Sequence, residues 1–284
     1  MPHRDHPTAR QARLGAELRK MRESAGLAAR EAAGLLSVDQ ARISHIEAGR
    51  VGVSETRLRR LAHFYGCPDE ELISALCDIT REHRGQFWFD EYRGILAPVF
   101  LDVAEMEHHA VAMCALQNVT LPGILQTKDY ARTLFSGVLP RLSDDEIDAR
   151  VEHRMRRFHV LERPEPPVYE AIVHEAAVRM RFGGRKVARE QLNHLMDAAG
   201  LPTVTLRIVP FTSEDFVEAT QSVVYAHAVV PQLDVVQIDA VSGGSFLDAE
   251  ADLRTYRTLL DSARKATLSP DESRTLIHHI AREL

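Results

Sequence analysis

The sequence predicts a multidomain α plus α/β protein: an all-α five-helix domain over residues 1–84, followed by a larger mixed α/β domain over residues 85–284. Three observations predict it. In the first part, apolar residues recur at spacings of three and four, the period of helices buried on one side. Beyond Pro-Glu-Pro-Pro at 164–167, short Val- and Ile-rich runs separated by turn residues signal strands. The charge also changes sign: residues 1–68 hold 12 Lys and Arg against 7 Asp and Glu, and the rest holds 23 against 34. A chain of 284 residues is also long for a single hydrophobic core.

Leu14, Leu18, Met21 and Ala25 fall on one stripe of a first helix, with Arg13, Arg19, Lys20 and Arg22 largely outside it and Gly26 ending it. Leu27 begins a short second helix that turns Ala32, Ala33 and Leu36 inward. Ser37 and Val38 make a turn, and Asp39 suits the N-cap of a third helix that Gly49 stops. At 100° per residue, Ile43 and Ile46 share one face, while Ala41, Ser44, His45 and Ala48 lie opposite, flanked by Gln40 and Arg42. Such a helix fits a DNA major groove. Ala41 and Ser44 permit close approach, and Gln40 and Arg42 have the bidentate geometry that reads adenine and guanine edges. A fourth helix is capped by Ser54, with Leu58, Leu61 and Phe64 inward and Arg57, Arg59 and Arg60 mostly outward, up to Gly66. Pro68 starts a fifth, through Leu72 and Leu76.

The run LAAREAAGLLSVDQARISHIEAGR resembles the helix-turn-helix of Cro/C1-type (XRE-family) transcriptional regulators over about 65 residues. Leu27, Ala33, Leu36, Val38, Ile43, Ser44, Ile46, Glu47, Gly49 and Arg50 sit where that family places its core positions and its I-S-x-I-E-x-G-R ending. The resemblance implies that Gln40, Ala41, Arg42 and His45 face bases, and that the start of the second helix and Arg50 approach phosphate. Ala28 and Ala29 stand where the family often carries a Gln, which leaves Arg30 as the substitute phosphate contact.

In the acidic remainder, Phe87, Trp88, Phe89 and Tyr92 form an aromatic cluster in a connecting region, suited to interdomain packing or to a partner's surface. LDVAEMEHHAVAMCALQ reads as one helix, Pro122 and Gly123 break the chain, and another helix runs through Tyr130, Leu134 and Phe135. Ser143 and Glu146 have capping-box spacing and open a helix with an outward face of Arg150, Arg154, Arg156 and Arg157. VYEAIVHE, TVTLRIVP, QSVVYAHAV and LDVVQIDAV read as strands, with helices over about 185–199 and 249–266. Ser269, Pro270 and Glu272 start a last helix. In order, LPGILQTKDYAR, RPEPPVYEAIVHEAAVRMRFGG, REQLNHLMDAAG, VTLRIVPF, SGGSFLD and LSPDESRTLIHHIAREL resemble the antitoxin-like C-terminal domain of actinomycete regulators, across nearly all of residues 86–284. That resemblance implies transcriptional control, often with a small partner protein encoded nearby. Gln237 and Asp239 stand where relatives commonly have an aromatic residue and a Glu.

Other chemistry finds little support. Cys67, Cys77 and Cys114 lack paired spacing, which argues against a disulfide framework or zinc ribbon and for a reducing, cytoplasmic setting. No signal peptide or spanning segment is read, so no membrane role is expected. His108 and His109 are adjacent and diverge on a helix, His174-Glu175 lacks a second His four residues on, and Gly183-Gly184 and Gly243-Gly244 read as turns. His278 and His279 lie near a helix C-terminus. No set of acid, base and nucleophile can be assembled, so neither enzyme activity nor a cofactor or metal is expected. The net charge of −6 does not oppose binding to double-stranded DNA, because phosphate attraction is screened over about 8 Å and the basic residues are local. The sequence therefore predicts a homodimeric DNA-binding transcriptional regulator whose C-terminal domain dimerises and senses a protein or small-molecule signal. The alternative is an antitoxin-like protein that sequesters a small partner protein and autoregulates its operon.

Overall fold

The Thr8 hydroxyl accepts a hydrogen bond from the Gln11 amide and the Thr8 amide donates in return to the Gln11 side-chain oxygen, a reciprocal cap that opens α1 (Ala9–Ser24). The computed structural model describes residues 7–83, 85–215, 221–240 and 243–284. Four more helices complete the N-terminal part: α2 (Ala29–Leu36), α3 (Gln40–Glu47), α4 (Glu55–Phe64) and α5 (Glu70–Arg81). Their inward residues, among them Leu14, Leu18, Ala32, Leu36, Ile43, Ile46, Leu58, Leu61 and Leu76, are buried.

Four local expectations here need correction. α2 starts two residues after Leu27, because the Ala28 amide is taken by the Glu31 side chain. α5 is capped by Asp69, which accepts from the Leu72 amide at 2.9 Å, so Pro68 precedes the helix. Phe64 is 40% exposed, and Ala62 is buried instead. Phe64 lies six residues past Leu58, about 120° around the helix, whereas Ala62 follows at the i+4 position. Arg22, read as outward, is buried.

The second part is built on six strands: β1 (Ala112–Gln117), β2 (Val168–His174), β3 (Val204–Val209), β4 (Val223–His227), β5 (Val235–Ala240) and β6 (Gly243–Leu247). They form one sheet in the order β3-β2-β1-β4-β5-β6, parallel through β1, β2 and β3 and antiparallel through β4, β5 and β6. The parallel half follows from its helical connections. α7 (Lys128–Ser136) and α8 (Asp144–Arg157) join β1 to β2, while α9 (Glu175–Arg179) and α10 (Arg185–Ala198) join β2 to β3. α6 (Pro98–His109) precedes β1, and α11 (Glu250–Lys265) and α12 (Pro270–Glu283) follow β6. One face of the sheet packs Met113, Ala115, Tyr169, Ala171 and Leu206 against α10 and α12 residues such as Leu192, Leu195 and Ile277. The other packs Leu116, Ile172, Tyr225 and Val236 against Leu253 and Leu260 of α11. An all-α domain followed by an α/β domain is therefore the observed fold class.

The segment read as a single helix over LDVAEMEHHAVAMCALQ divides into α6 and β1. Met, Ala, Leu and Gln favour helix locally, but this strand sits mid-sheet, with Met113–Gln117 buried throughout and no polar alternation to betray it. Gly243 and Gly244 also belong to a strand, not an isolated turn. A Cβ on Gly244 would lie 2.9 Å from Val99, so a glycine lets α6 approach the sheet edge. Gly183 and Gly184 do form a turn, both at positive φ.

By contacts the chain forms two compact units, one of Met1–Glu91 with Val229–Leu233 and the other of Tyr92–Ala228 with Asp234–Leu284. In the first, Gln232 donates to Asp69 at 2.7 Å, and Arg13 donates to the Gln232 carbonyl. Among the described residues, no helix is long and apolar enough to cross a membrane.

Candidate nucleic-acid interface

The turn between α2 and α3 is set by Ser37, which adopts the left-handed conformation at φ 52°, and by the Val38 amide, which donates back to the Ala33 carbonyl at 3.0 Å. Asp39 is extended, and its carboxylate accepts from the Arg42 amide at 2.6 Å, satisfying one of the donors left open at the start of α3. Ile43 and Ile46 are 1% and 2% exposed and hold the helix to the core. Gly49, at φ 71°, stops it, and the Arg50 amide closes on the His45 carbonyl at 2.9 Å.

The other side of α3 faces outward. Gln40, Ala41, Ser44 and Ala48 are exposed, and Arg42 and His45 are half-buried. Ser44 donates its hydroxyl to the Gln40 carbonyl at 3.2 Å, which leaves its oxygen lone pairs facing out. Arg30, in the first turn of α2, and Arg50, just past α3, are exposed.

Three contacts fix where α3 lies. A Cβ on Gly15 would stand 2.5 Å from the Glu47 carbonyl oxygen and 2.6 Å from that of Ile46, so α1 and α3 cross at backbone distance. At Gly49 a Cβ would stand 2.8 Å from the Gln11 carbonyl oxygen. Buried Arg22 grips Glu47 bidentately at 2.6 and 2.9 Å and donates to the Leu27 carbonyl at 2.7 Å, tying α1, α3 and the approach to α2 together. The Glu47 hydrogen bond outweighs the burial penalty and holds Arg22 above the ordinary guanidinium value. Sequence reading missed this clamp, although a glycine inside a helix, at about 1 kcal/mol relative to alanine, is the kind of signal that marks a close approach.

Ion pairing sorts the arginines of this unit into two sets. Arg10 pairs with Glu82, Arg13 with Glu17, Arg19 with Glu23, Arg22 with Glu47, Arg59 with Glu55 and Glu70, and Arg81 with Glu55 and Asp78. Arg30, Arg42, Arg50, Arg57 and Arg60 have no carboxylate within 4 Å among the described residues. These five stand at the start of α2, on α3, just past it, and on α4. Uncommitted guanidinium groups beside the N-termini of two helices suit phosphate oxygens.

The aromatic segment behaves differently. Trp88–Tyr92 forms a 3-10 turn in which Phe89 stacks on Phe87 at 5.2 Å and meets Trp88 edge-on at 5.7 Å. Phe89 and Tyr92 are 3% and 5% exposed, and Tyr92 packs edge-on to His153. Only Phe87 and Trp88 keep part of their surface, so the four do not form a single exposed platform.

The histidines considered for metal binding have ordinary structural roles. His108 and His109 pack ring against ring, His174 Nδ1 accepts from the Ala176 amide at 3.1 Å to cap α9, and His279 lies 2.9 Å from Glu283. Among the described residues, no group of three His, Cys, Asp or Glu side chains is placed to hold a metal ion.

A family model of a helix-turn-helix domain matches residues 13–76, and one of a domain of unknown function, DUF5753, matches residues 100–279. No curated protein and no solved structure matches.

Proposed function

This chain belongs to the family defined by the domain of unknown function DUF5753 and carries a DNA-binding helix-turn-helix domain ahead of it, and we propose that it is a sequence-specific transcriptional regulator of the XRE type. One observation carries the reading. Among the described residues of the N-terminal unit, the arginines without carboxylate partners include Arg42 on the outward face of α3, Arg50 just past it and Arg30 at the start of α2, and the rest of that face is small or hydrogen-bonding. In this reading Gln40, Ala41, Arg42, Ser44 and His45 meet base edges, and Arg30 and Arg50 meet phosphates. Arg57 and Arg60 extend the phosphate-facing set. A single module covers limited DNA, so the protein acts as a homodimer on two half-sites about 34 Å apart. The DUF5753 domain supplies dimerisation and the response to a signal.

Selection from randomised duplexes tests this. The wild-type protein enriches a palindromic site, and Arg42→Ala relaxes one position per half-site at a cost of about 1–3 kcal/mol. An unchanged enriched site in the variant would remove Arg42 from base readout. No enrichment by the wild type would reject sequence-specific binding.

A further inference from the structure

The sheet face that packs against α10 and α12 changes character from one half to the other. Along β1 and β2 it is apolar, with Met113, Ala115, Tyr169 and Ala171. Side chains two apart on a strand share a face, so Gln117 follows Met113 and Ala115, and Gln237 and Asp239 follow Val235, onto the same side. Gln117 and Gln237 are each 4% exposed. α8 presents Arg154 and Arg157 to this region, contrary to the outward face its sequence suggested.

The two arginines differ in what neutralises them. Arg157 is held bidentately by buried Glu107, at 2.5 and 2.7 Å. That pairing outweighs burial and keeps Arg157 above the ordinary guanidinium value. Among the described residues, Arg154 has no carboxylate within 4 Å. It donates to the neutral amide oxygen of Gln126 at 2.6 Å and lies over the Phe135 ring at 4.8 Å. Asp239 is near enough to be felt electrostatically, but one of its oxygens is engaged by Gln237 at 2.6 Å. Burial, with Arg157 beside it, lowers Arg154 to about 9. Arg154 is nevertheless only half-buried, so part of it stays accessible to solvent.

Two glycines let the backbone come close to these side chains. A Cβ on Gly123 would stand 3.0 Å from Arg154 Nη1 and 3.3 Å from Arg157 Nη1, and a Cβ on Gly244 would stand 3.3 Å from Gln237 Nε2. Asp239 and Glu107 act on Arg154 only at a distance, and a desolvated cation without a directly bound carboxylate is expensive to keep. The planar fork of an arginine is suited to a two-oxygen anion.

We propose that this polar face of the sheet is a binding site for a small anionic molecule, whose carboxylate or phosphate is taken by Arg154, with the amides of Gln126 and Gln237 alongside. The site gives the DUF5753 domain a ligand class, and it rests on the signal-sensing part of the function proposed above. The Glu107–Arg157 pair is its fixed wall, and Arg154 is the open valence.

Thermal-shift and calorimetric titrations of the full chain test it, with inorganic phosphate and with benzoate as the two probes at constant ionic strength. The expected result is saturable binding of one or both, at least about tenfold weaker in Arg154→Gln and in Arg154→Lys and unchanged in Arg150→Gln. Preference for phosphate or for benzoate distinguishes the two anion classes. Arg154→Lys keeps the charge and guards against misfolding of the glutamine variant, which far-ultraviolet circular dichroism checks. Equal, unsaturable stabilisation of all four proteins, or affinity unaffected by either Arg154 substitution, overturns the site. So does absence of binding by both probes together with no small anion in native mass spectra of the protein purified from its host. DNA affinity is measured separately on the selected duplex. A protein that binds the anion but no DNA refutes the regulator reading alone, and the reverse refutes only this site.

Discussion

The arginines of the helix-turn-helix unit and those of α8 show two ways of handling the same side chain. In the helix-turn-helix unit, Arg30, Arg42, Arg50, Arg57 and Arg60 have no carboxylate within 4 Å among the described residues, while the clamp that shapes the unit is a buried pair, Arg22 with Glu47. On α8 the relation is reversed. Arg157 is locked to Glu107, Arg154 is bound to Gln126, and Arg150 and Arg154 lie over Phe100 and Phe135. An arginine left solvated is cheap to keep and ready for phosphate, whereas a buried one must be paired or becomes a demand for a ligand. Arginine content alone therefore does not identify a nucleic-acid surface. The distribution of carboxylates around it does.

Breaking the buried pairs should have the largest effect. Arg157→Ala leaves Glu107 desolvated and should lower unfolding stability by about 3–5 kcal/mol in denaturant titrations. Arg57→Ala should change it by less than about 0.5 kcal/mol. Similar losses in the two variants would erase the contrast between the regions. Next comes Arg22→Ala. It removes a charged, partly buried hydrogen-bonded clamp worth about 1.5–3 kcal/mol and should weaken binding to every duplex tested, although Arg22 is not placed against DNA. Retained affinity would show that α3 holds its place without the clamp.

A third effect is pH-dependent. Burial, with Arg157, Arg154 and Arg156 adding to it, lowers His153 to about 3. The unfolded chain takes up this proton below about 6.5 and the folded chain only near 3. The contribution to stability is thus complete above 6.5 and is lost as pH falls toward 3, at up to about 1.4 kcal/mol per pH unit. His153→Phe, which keeps a ring against Tyr92 and Phe100, should flatten this fall between pH 6.5 and 5. An identical acid profile would remove His153 from the account. The smallest effect is expected at the surface. Arg50→Ala should weaken binding to all sequences similarly and reduce the salt slope by about one, read from anisotropy titrations at several salt concentrations.

Much of the N-terminal unit was legible in the sequence because its signals are local. Asp39 and Ser54 are caps at the ends of apolar periods, Gly26, Gly49 and Gly66 end helices at positive φ, and Ile43 and Ile46 define a face by spacing alone. The same logic found β2, β3, β4 and β5 and the reciprocal caps at Ser143 and Ser269. It failed at β1, where helix-favouring residues are held as a strand by neighbours distant in sequence, and at Phe64, where Ala62 takes the buried position.

The sequence by itself determined where most helices begin and end, which residues of α3 face away from the core, and that an all-α part precedes an α/β part. Periodicity and capping act over three or four residues, and that is as far as they can be read. Only the tertiary structure decided which arginines are free. Arg22 meets Glu47 across 25 residues, and Arg157 meets Glu107 across 50, so no local pattern separates them from Arg42 or Arg50. Charge is written in the sequence, but its neutralisation depends on distances that exist only after folding.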